Sequence, residues 1–212
     1  MEKLLKLFRI DSAVLLIFII AVNGCGEIKS IVNSPDITIK QPFKKEDRIA
    51  VLSFYEAGNA SGNKLGSLFA NRLNEEFLLN TNLTFIDRSL VNSSQMKNKL
   101  LNNDHFSLMD IQKLGESLKV TKLICGTVEK TSSGLYYDPE NDQKITVSCR
   151  VLDVATGEVL ALARMEKSGK DANEMISTIA GSIVSRGNWV EKEIEVKPVP
   201  QQTDSLTVLK TK

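Results

Sequence analysis

Residues 144–164, KITVSCRVLDVATGEVLALAR, are written to fold back on themselves. Ile145, Val147, Cys149 and Val151 alternate with Thr146, Ser148 and Arg150, the period-two pattern of a strand buried on one side. Val159, Ala161, Ala163 and Met165 repeat the pattern after a turn. A three-residue loop of Ala155, Thr156 and Gly157, with Gly157 in the left-handed region, sets Val151 opposite Ala161, Cys149 opposite Ala163 and Val147 opposite Met165. Turn chemistry and apolar register agree, so the chain must supply a sheet for this hairpin to join. The hairpin itself carries no catalytic group.

The N-terminus has the form of an export signal. Lys3, Lys6 and Arg9 precede Ala13–Val22, ten unbroken apolar residues. A bilayer-spanning helix takes about 20, so the run fits the apolar region of a secretory signal instead. It ends in Val22-Asn23-Gly24-Cys25, which resembles the bacterial lipobox: an aliphatic residue three places before a cysteine and a small one directly before it. That resemblance implies cleavage after Gly24 and lipidation of Cys25, which becomes the membrane anchor. A plain secretory signal with Cys25 incidental is the competing reading. Gly26, where inner-membrane retention would call for Asp, implies the outer membrane, with the chain facing the periplasm.

Removing residues 1–24 takes away three basic and two acidic residues, so totals of 27 and 26 become 24 of each. That balance gives no reason to expect nucleic acid as a partner. The 188 residues that remain suit one domain with extensions. Residues 25–47 are polar, with Pro35, Pro42 and the cluster Lys44-Lys45-Glu46-Asp47, and are expected to be a lipid-anchored tether. The domain is then expected over 48–190. A tail of alternating charge and KPVPQQTDS composition occupies 191–212, expected to be disordered.

Within the domain, Ile49–Phe54 predicts a buried strand, and Leu65, Leu68, Phe69, Leu73 and Phe77 have the spacing of one helix face. Leu83–Asp87 predicts a second strand and Ser89–Leu101 a helix. Ser107, with Asp110 at the third helical position, comes close to a capping box for a helix with Leu108, Ile111, Leu114 and Leu118 on one face. Thr121–Glu129 predicts a third strand leading to the hairpin. Asp171 with Glu174 starts a last helix whose face is Met175, Ile176, Ile179 and Ile183, closed by Arg186-Gly187. The order β-α-β-α-α-β-β-β-α argues an α/β (α+β) domain: a mixed sheet of about five strands packed by helices, with a C-terminal β-hairpin and helix.

RIAVLSF, the helix after it, FIDRSLV, KVTKLICGTV and above all VLDVATGEVL resemble the periplasmic domain of the CsgG-like lipoproteins, over about Arg48–Gly187. That group includes the curli-secretion channel subunit and related domains of the FlgO and LpoB lipoproteins. The resemblance implies a non-enzymatic component that assembles or regulates an envelope machine of curli, secretion or flagellar type. Its partners would be other envelope proteins, with homo-oligomers possible in such a group. An LpoB-like activator of a penicillin-binding protein is the alternative. In the channel-forming member the barrel comes from long hairpins inserted at two places. Here the corresponding gaps are Thr131–Gln143 and Lys167–Asp171, too short for paired membrane strands of about 9 to 11 residues each. The expectation is a monomer or an aqueous ring held by its lipid, and no pore.

Few residues invite a chemical reading, and neither cofactor nor metal is expected. Gly58–Ser67 (GNASGNKLGS) lies between strand and helix, where a phosphate cradle would sit. Asn63 replaces the glycine before Lys64 and Leu65 replaces the magnesium-binding hydroxyl, so a plain connection is the better reading. His105 is the single histidine, with no cysteine or second histidine beside it, and reads as a loop residue. The pairs Glu75-Glu76 and Asp138 with Glu140 read as a solvated helix face and a turn. Cys125 and Cys149 lie equidistant from residue 137, the midpoint of the connection between their strands, so they can be opposed. An oxidising compartment would permit a disulfide there, but cross-strand neighbours seldom meet its geometry. Two buried free thiols are the better reading.

Overall fold

The computed structural model describes residues 34–58, 64–100, 105–132 and 143–191. The signal, Cys25, tether residues 26–33, the Gly-rich positions 59–63, Asp138 and Glu140, and the tail from 192 on lie outside the described residues. Seven strands and four helices are present among those described. In order they are β1 (Asp36–Ile39), β2 (Arg48–Val51), β3 (Tyr55–Gly58), α1 (Leu65–Asn80), β4 (Thr84–Phe85), α2 (Arg88–Lys97), α3 (Leu108–Leu118), β5 (Lys122–Ser132), β6 (Gln143–Asp153), β7 (Val159–Gly169) and α4 (Ala172–Arg186).

The strands form one mixed sheet ordered β1-β7-β6-β5-β2-β4, with β3 pairing β5 beyond the end of β2. β2, β3 and β4 enter through parallel pairings. From β5 outward through β6 and β7 to β1 every pairing is antiparallel. The hairpin has the register its sequence dictates: Val147 faces Met165, Cys149 faces Ala163 and Val151 faces Ala161. Gly157 has φ 73°, a region open to glycine and costly to a residue with a Cβ. Asp153 builds the turn, its Oδ1 accepting the N–H groups of Ala155 and Thr156 at 2.9 Å each.

β3 and β4 send their following helices to opposite faces of the sheet. α1 and α4 lie against one face, where Phe69, Leu73, Phe77, Met175, Ile176, Ile179 and Ile183 meet Ile49, Val51, Val128, Val147 and Ala163. Fully burying one such aliphatic or aromatic side chain contributes about 1.5 to 3 kcal/mol, so this face dominates the stability. α2 and α3 cover only part of the other face, through Val91, Ile111, Leu114 and Leu118 over Ala50, Leu52, Leu123, Cys125 and Leu152. α3 opens with the full capping box of Ser107 and Asp110. α4 is capped by Asp171, whose Oδ1 accepts from the N–H groups of Asn173 and Glu174.

Several expectations are corrected. The domain does not start at Arg48, because part of the expected tether is in the sheet: β1 pairs with β7, Ile37 opposite Ala163 and Ile39 opposite Ala161. Phe43, inside the same polar stretch, is 2% exposed. It stacks on Trp189 at 6.1 Å and meets Phe77 edge-on at 6.2 Å. Phe43 N–H donates to Trp189 O, and Glu191 N–H donates back to Phe43 O, so the two ends of the domain clasp each other. The domain thus also reaches Glu191, the first residue of the expected tail. β3 occupies what had the look of a loop. α2 ends at Lys97, short of Leu101, where Lys99 turns left-handed. Leu108 stands half-exposed at the start of α3 instead of buried. Gly187 caps α4 with φ −87°, so left-handed geometry is not why a glycine is there. The indole of Trp189 is: a Cβ on Gly187 would lie 2.2 Å from its Nε1.

Candidate functional site

The part of the sheet that α2 and α3 leave bare is the most distinctive surface. Along β6 the residues between the buried ones are Lys144, Thr146, Ser148 and Arg150, all partly exposed. Each has a cross-strand neighbour on the same side: Glu129 and Glu166 flank Thr146, Thr127 and Arg164 flank Ser148, Cys125 and Leu162 flank Arg150. β1 extends the face with Asp36 opposite Arg164 and Thr38 opposite Leu162. Three cations and three carboxylates share it, matching the charge balance of the whole chain. Lys144 and Glu166 form an ion pair at 2.7 Å, exposed and therefore worth under about 1 kcal/mol.

A hollow of about 280 Å³ is sunk into this face, lined by His105, Gly126, Thr127, Ser148, Cys149, Arg150 and Leu162. His105 arrives from the segment before α3, so the lone histidine, read as a loop residue, stands at the wall of a concavity. Gly126 lets the floor form: a Cβ there would lie 1.9 Å from the carbonyl oxygen of Ser148 and 2.7 Å from the ring of Phe54. Arg150 Nε–H donates to Cys125 Sγ at 3.3 Å. Burial pushes the Cys125 thiol up, against the pull of Arg150, so the acceptor is a neutral thiol. The Thr127 and Ser148 hydroxyls have no protein partner among the described residues.

Cys125 and Cys149 are the two buried thiols that the sequence favoured, and only their direct opposition is corrected. Cys125 is opposite Arg150 and Cys149 is opposite Gly126, one residue out of the opposition a bridge needs. A shift of one residue reverses the face, so Cys125 packs under α2 and α3 while Cys149 packs under α1 and α4. Both are free and buried. Burial also drives the Cys149 thiol far up, helped by the neighbouring Cys125.

Two polar clusters were missed in the sequence. At the end of β2, Arg88 donates to Val51 O, to Ser53 Oγ at 3.2 Å and to Asn71 Oδ1 at 3.0 Å, tying α2 to α1 across the strand. Burial lowers its pKa to about 10, partly offset by Asp87. Gln95, fully buried on α2, accepts from Ser53 N–H at 2.9 Å. At the opposite end of the sheet Lys122 Nζ lies 2.6 Å from Asp153 Oδ2 and 3.8 Å from Asp47 Oδ1. Thr121 Oγ1 donates to that same Asp47 oxygen at 2.8 Å. FIDRSL was legible as the end of a strand and the start of a helix and VLDVATGEVL as a hairpin turn, but their Arg and Asp serve distant strands. Both clusters are knots holding the sheet to its connections, although Gln95 Nε2 in the first is buried without a hydrogen-bond partner among the described residues. Gly58, where the Gly-rich stretch begins, is left-handed at φ 61°, and Lys64 precedes α1 with no side-chain cap. Glu75 pairs with Arg72 on the exposed side of α1. No group of three or more metal-ligating side chains occurs among the described residues, and no described helix is long and apolar enough to cross a membrane.

No protein-family model and no curated protein sequence matches the chain. Solved structures do. PelC from Paraburkholderia phytofirmans, described as a dodecamer, superposes with a TM-score of 0.51 at 11% identity, covering 72% of this chain and 94% of that one. Lipoprotein GNA1162 from Neisseria meningitidis gives 0.49 at 15% identity, over 66% and 96%. LpoB from E. coli gives 0.44 at 12%, over 58% and 57%. At such identities the likeness is one of fold, and the described domain shares its fold with PelC.

Proposed function

We propose that this chain is a lipid-anchored protein of the bacterial outer membrane that assembles or regulates an envelope machine by protein contacts and catalyses no reaction. The observation that carries the reading is the ten-residue apolar run ending at Val22-Asn23-Gly24-Cys25, followed by a domain of CsgG-like landmarks. Two or three acyl chains on Cys25, at about 0.8 kcal/mol per buried CH₂, would make release from the membrane negligible. The bare face with its mixed charges suits contact with other proteins. PelC, with the same fold, is a dodecamer, which supports a ring of copies as the assembled form. Such a ring would not itself be the pore: β7 ends at Gly169 and α4 begins at Ala172, leaving no length there for a membrane hairpin.

The test is to fractionate cells carrying the wild type and Cys25→Ser. Labelled palmitate should enter only the wild type, which should sediment with outer membranes while the variant does not. Absence of label from the wild type would sink the anchoring. A pull-down of the lipidated chain from envelope extracts then identifies the machine. Secretion, curli or flagellar components support this reading, whereas a penicillin-binding protein recovered instead moves the assignment to an activator of peptidoglycan synthesis.

A further inference from the structure

We infer that the hollow on the bare face is a binding site for a small carboxylate ligand, whose two oxygens take the hydroxyls of Thr127 and Ser148. These residues are direct partners across β5 and β6, which puts their Cβ atoms about 5 Å apart on the same side of the sheet. Neither hydroxyl has a protein partner among the described residues, so both O–H groups are available as donors. Arg164 stands on the other side of Ser148 in register, exposed and without an ion pair among the described residues. Arg150 lines the edge of the hollow, its Nε–H on the Cys125 thiol. Of the carboxylates on this face, Glu166 is engaged by Lys144, Glu129 lies one row away beside Thr146, and Asp36 flanks Arg164 from β1. None of the three lines the hollow.

Size and shape narrow the ligand further. A volume of about 280 Å³ is at the low end of the roughly 300 to 1,000 Å³ of sites that enclose whole ligands. It therefore takes one ring or one residue-sized group. Leu162, half-exposed at the rim, gives that group an apolar contact, and His105 closes the wall. An acidic sugar and the free carboxyl end of a peptide share this chemistry. The inference does not rest on the envelope assignment.

The experiment titrates the isotope-labelled full-length chain in detergent micelles, whether or not Cys25 carries a lipid, and follows backbone amide resonances. Sodium D-glucuronate and N-acetylglycine are the two carboxylates; D-glucose and N-acetylglycinamide are their uncharged counterparts. At least one carboxylate should shift Thr127, Ser148 and Leu162 saturably, and which one does so separates the sugar source from the peptide source. The double variant Thr127→Val/Ser148→Ala should weaken that binding about tenfold or more. It should keep the rest of the spectrum, since both changes lie on the solvent side of the sheet. Equal shifts from the uncharged counterparts would overturn the inference, as would tighter binding of inorganic phosphate at the same amides or no saturable shift from either carboxylate.

Discussion

Asp153 shows how one side chain decides a local fold and then serves a distant one. Its Oδ1 organises the turn before Gly157, and its Oδ2 binds Lys122, a lysine about nine-tenths buried. Burial alone would raise its pKa, but the Lys122 bond and the Thr156 N–H and hydroxyl outweigh that and leave it lowered. A carboxyl depressed in the folded state stabilises above its unfolded pKa, and the contribution is lost as pH falls through the folded value. Asp153→Asn should therefore cost about 1.5 to 3 kcal/mol at neutral pH, because Lys122 loses the carboxylate at 2.6 Å and keeps only Asp47 at 3.8 Å. The gap between wild type and variant in urea midpoints should close as the solution is acidified below the usual carboxylate range. The thiols give a second test. Cys125 and Cys149 should resist maleimide in the native protein, react fully in denaturant, and show no bridge by mass under oxidising conditions. The error in their opposition has a plain cause: counting from the midpoint of a connection cannot distinguish even from odd register, and in a sheet that parity decides the face.

At the scale of elements, what was legible was local. The hairpin could be read pair by pair because turn and register lie within about twenty residues. The capping box of α3 and the Asp171 cap of α4 were legible for the same reason. Gly157→Ala, which forces a Cβ into the left-handed region and to 2.9 Å from Leu108 Cδ1, should cost about 1 to 2 kcal/mol in denaturant unfolding. Gly126→Ala should cost more, about 3 kcal/mol, since the obstacle is the Ser148 carbonyl of a neighbouring strand and not a mobile side-chain end. β1 escaped notice because its alternation spans only Asp-Ile-Thr-Ile among prolines and charges, and its partner β7 lies far along the chain. The alternating Thr146, Ser148 and Arg150 announced a solvent side of the sheet. Nothing local announced that α2 and α3 would cover only part of that side or that His105 would arrive at its hollow.

At the scale of the molecule, the domain is closed by its ends. Phe43, Phe77 and Trp189 form one aromatic cluster, and Trp189 Nε1–H donates to Ile183 O at 2.9 Å. Trp189→Ala should cost about 3 to 5 kcal/mol, as for other buried aromatics. It should also loosen β1, seen as faster amide exchange at Ile37 and Ile39 than in the rest of the sheet. If exchange at β1 is unchanged, the clasp is not what holds that strand. A lone Phe between charges gives no sign that it will be buried until its partner some 146 residues later is in place, which is why the tether seemed longer than it is.

The early entry of the chain into the sheet would fix how far the domain can stand from the anchor proposed at Cys25. Ser34, held by Arg186 at 2.8 Å, comes only nine residues after Cys25. At no more than about 3.3 to 3.6 Å per residue, that leash is roughly 30 Å at full stretch, about the thickness of the hydrocarbon core of a bilayer. A tether running to Asp47 would have allowed more than twice that height. With a lipid on Cys25 as proposed, the domain would be a short-moored body, able to work in a thin layer beneath the membrane. A partner rooted in the opposite membrane would have to come most of the way to meet it.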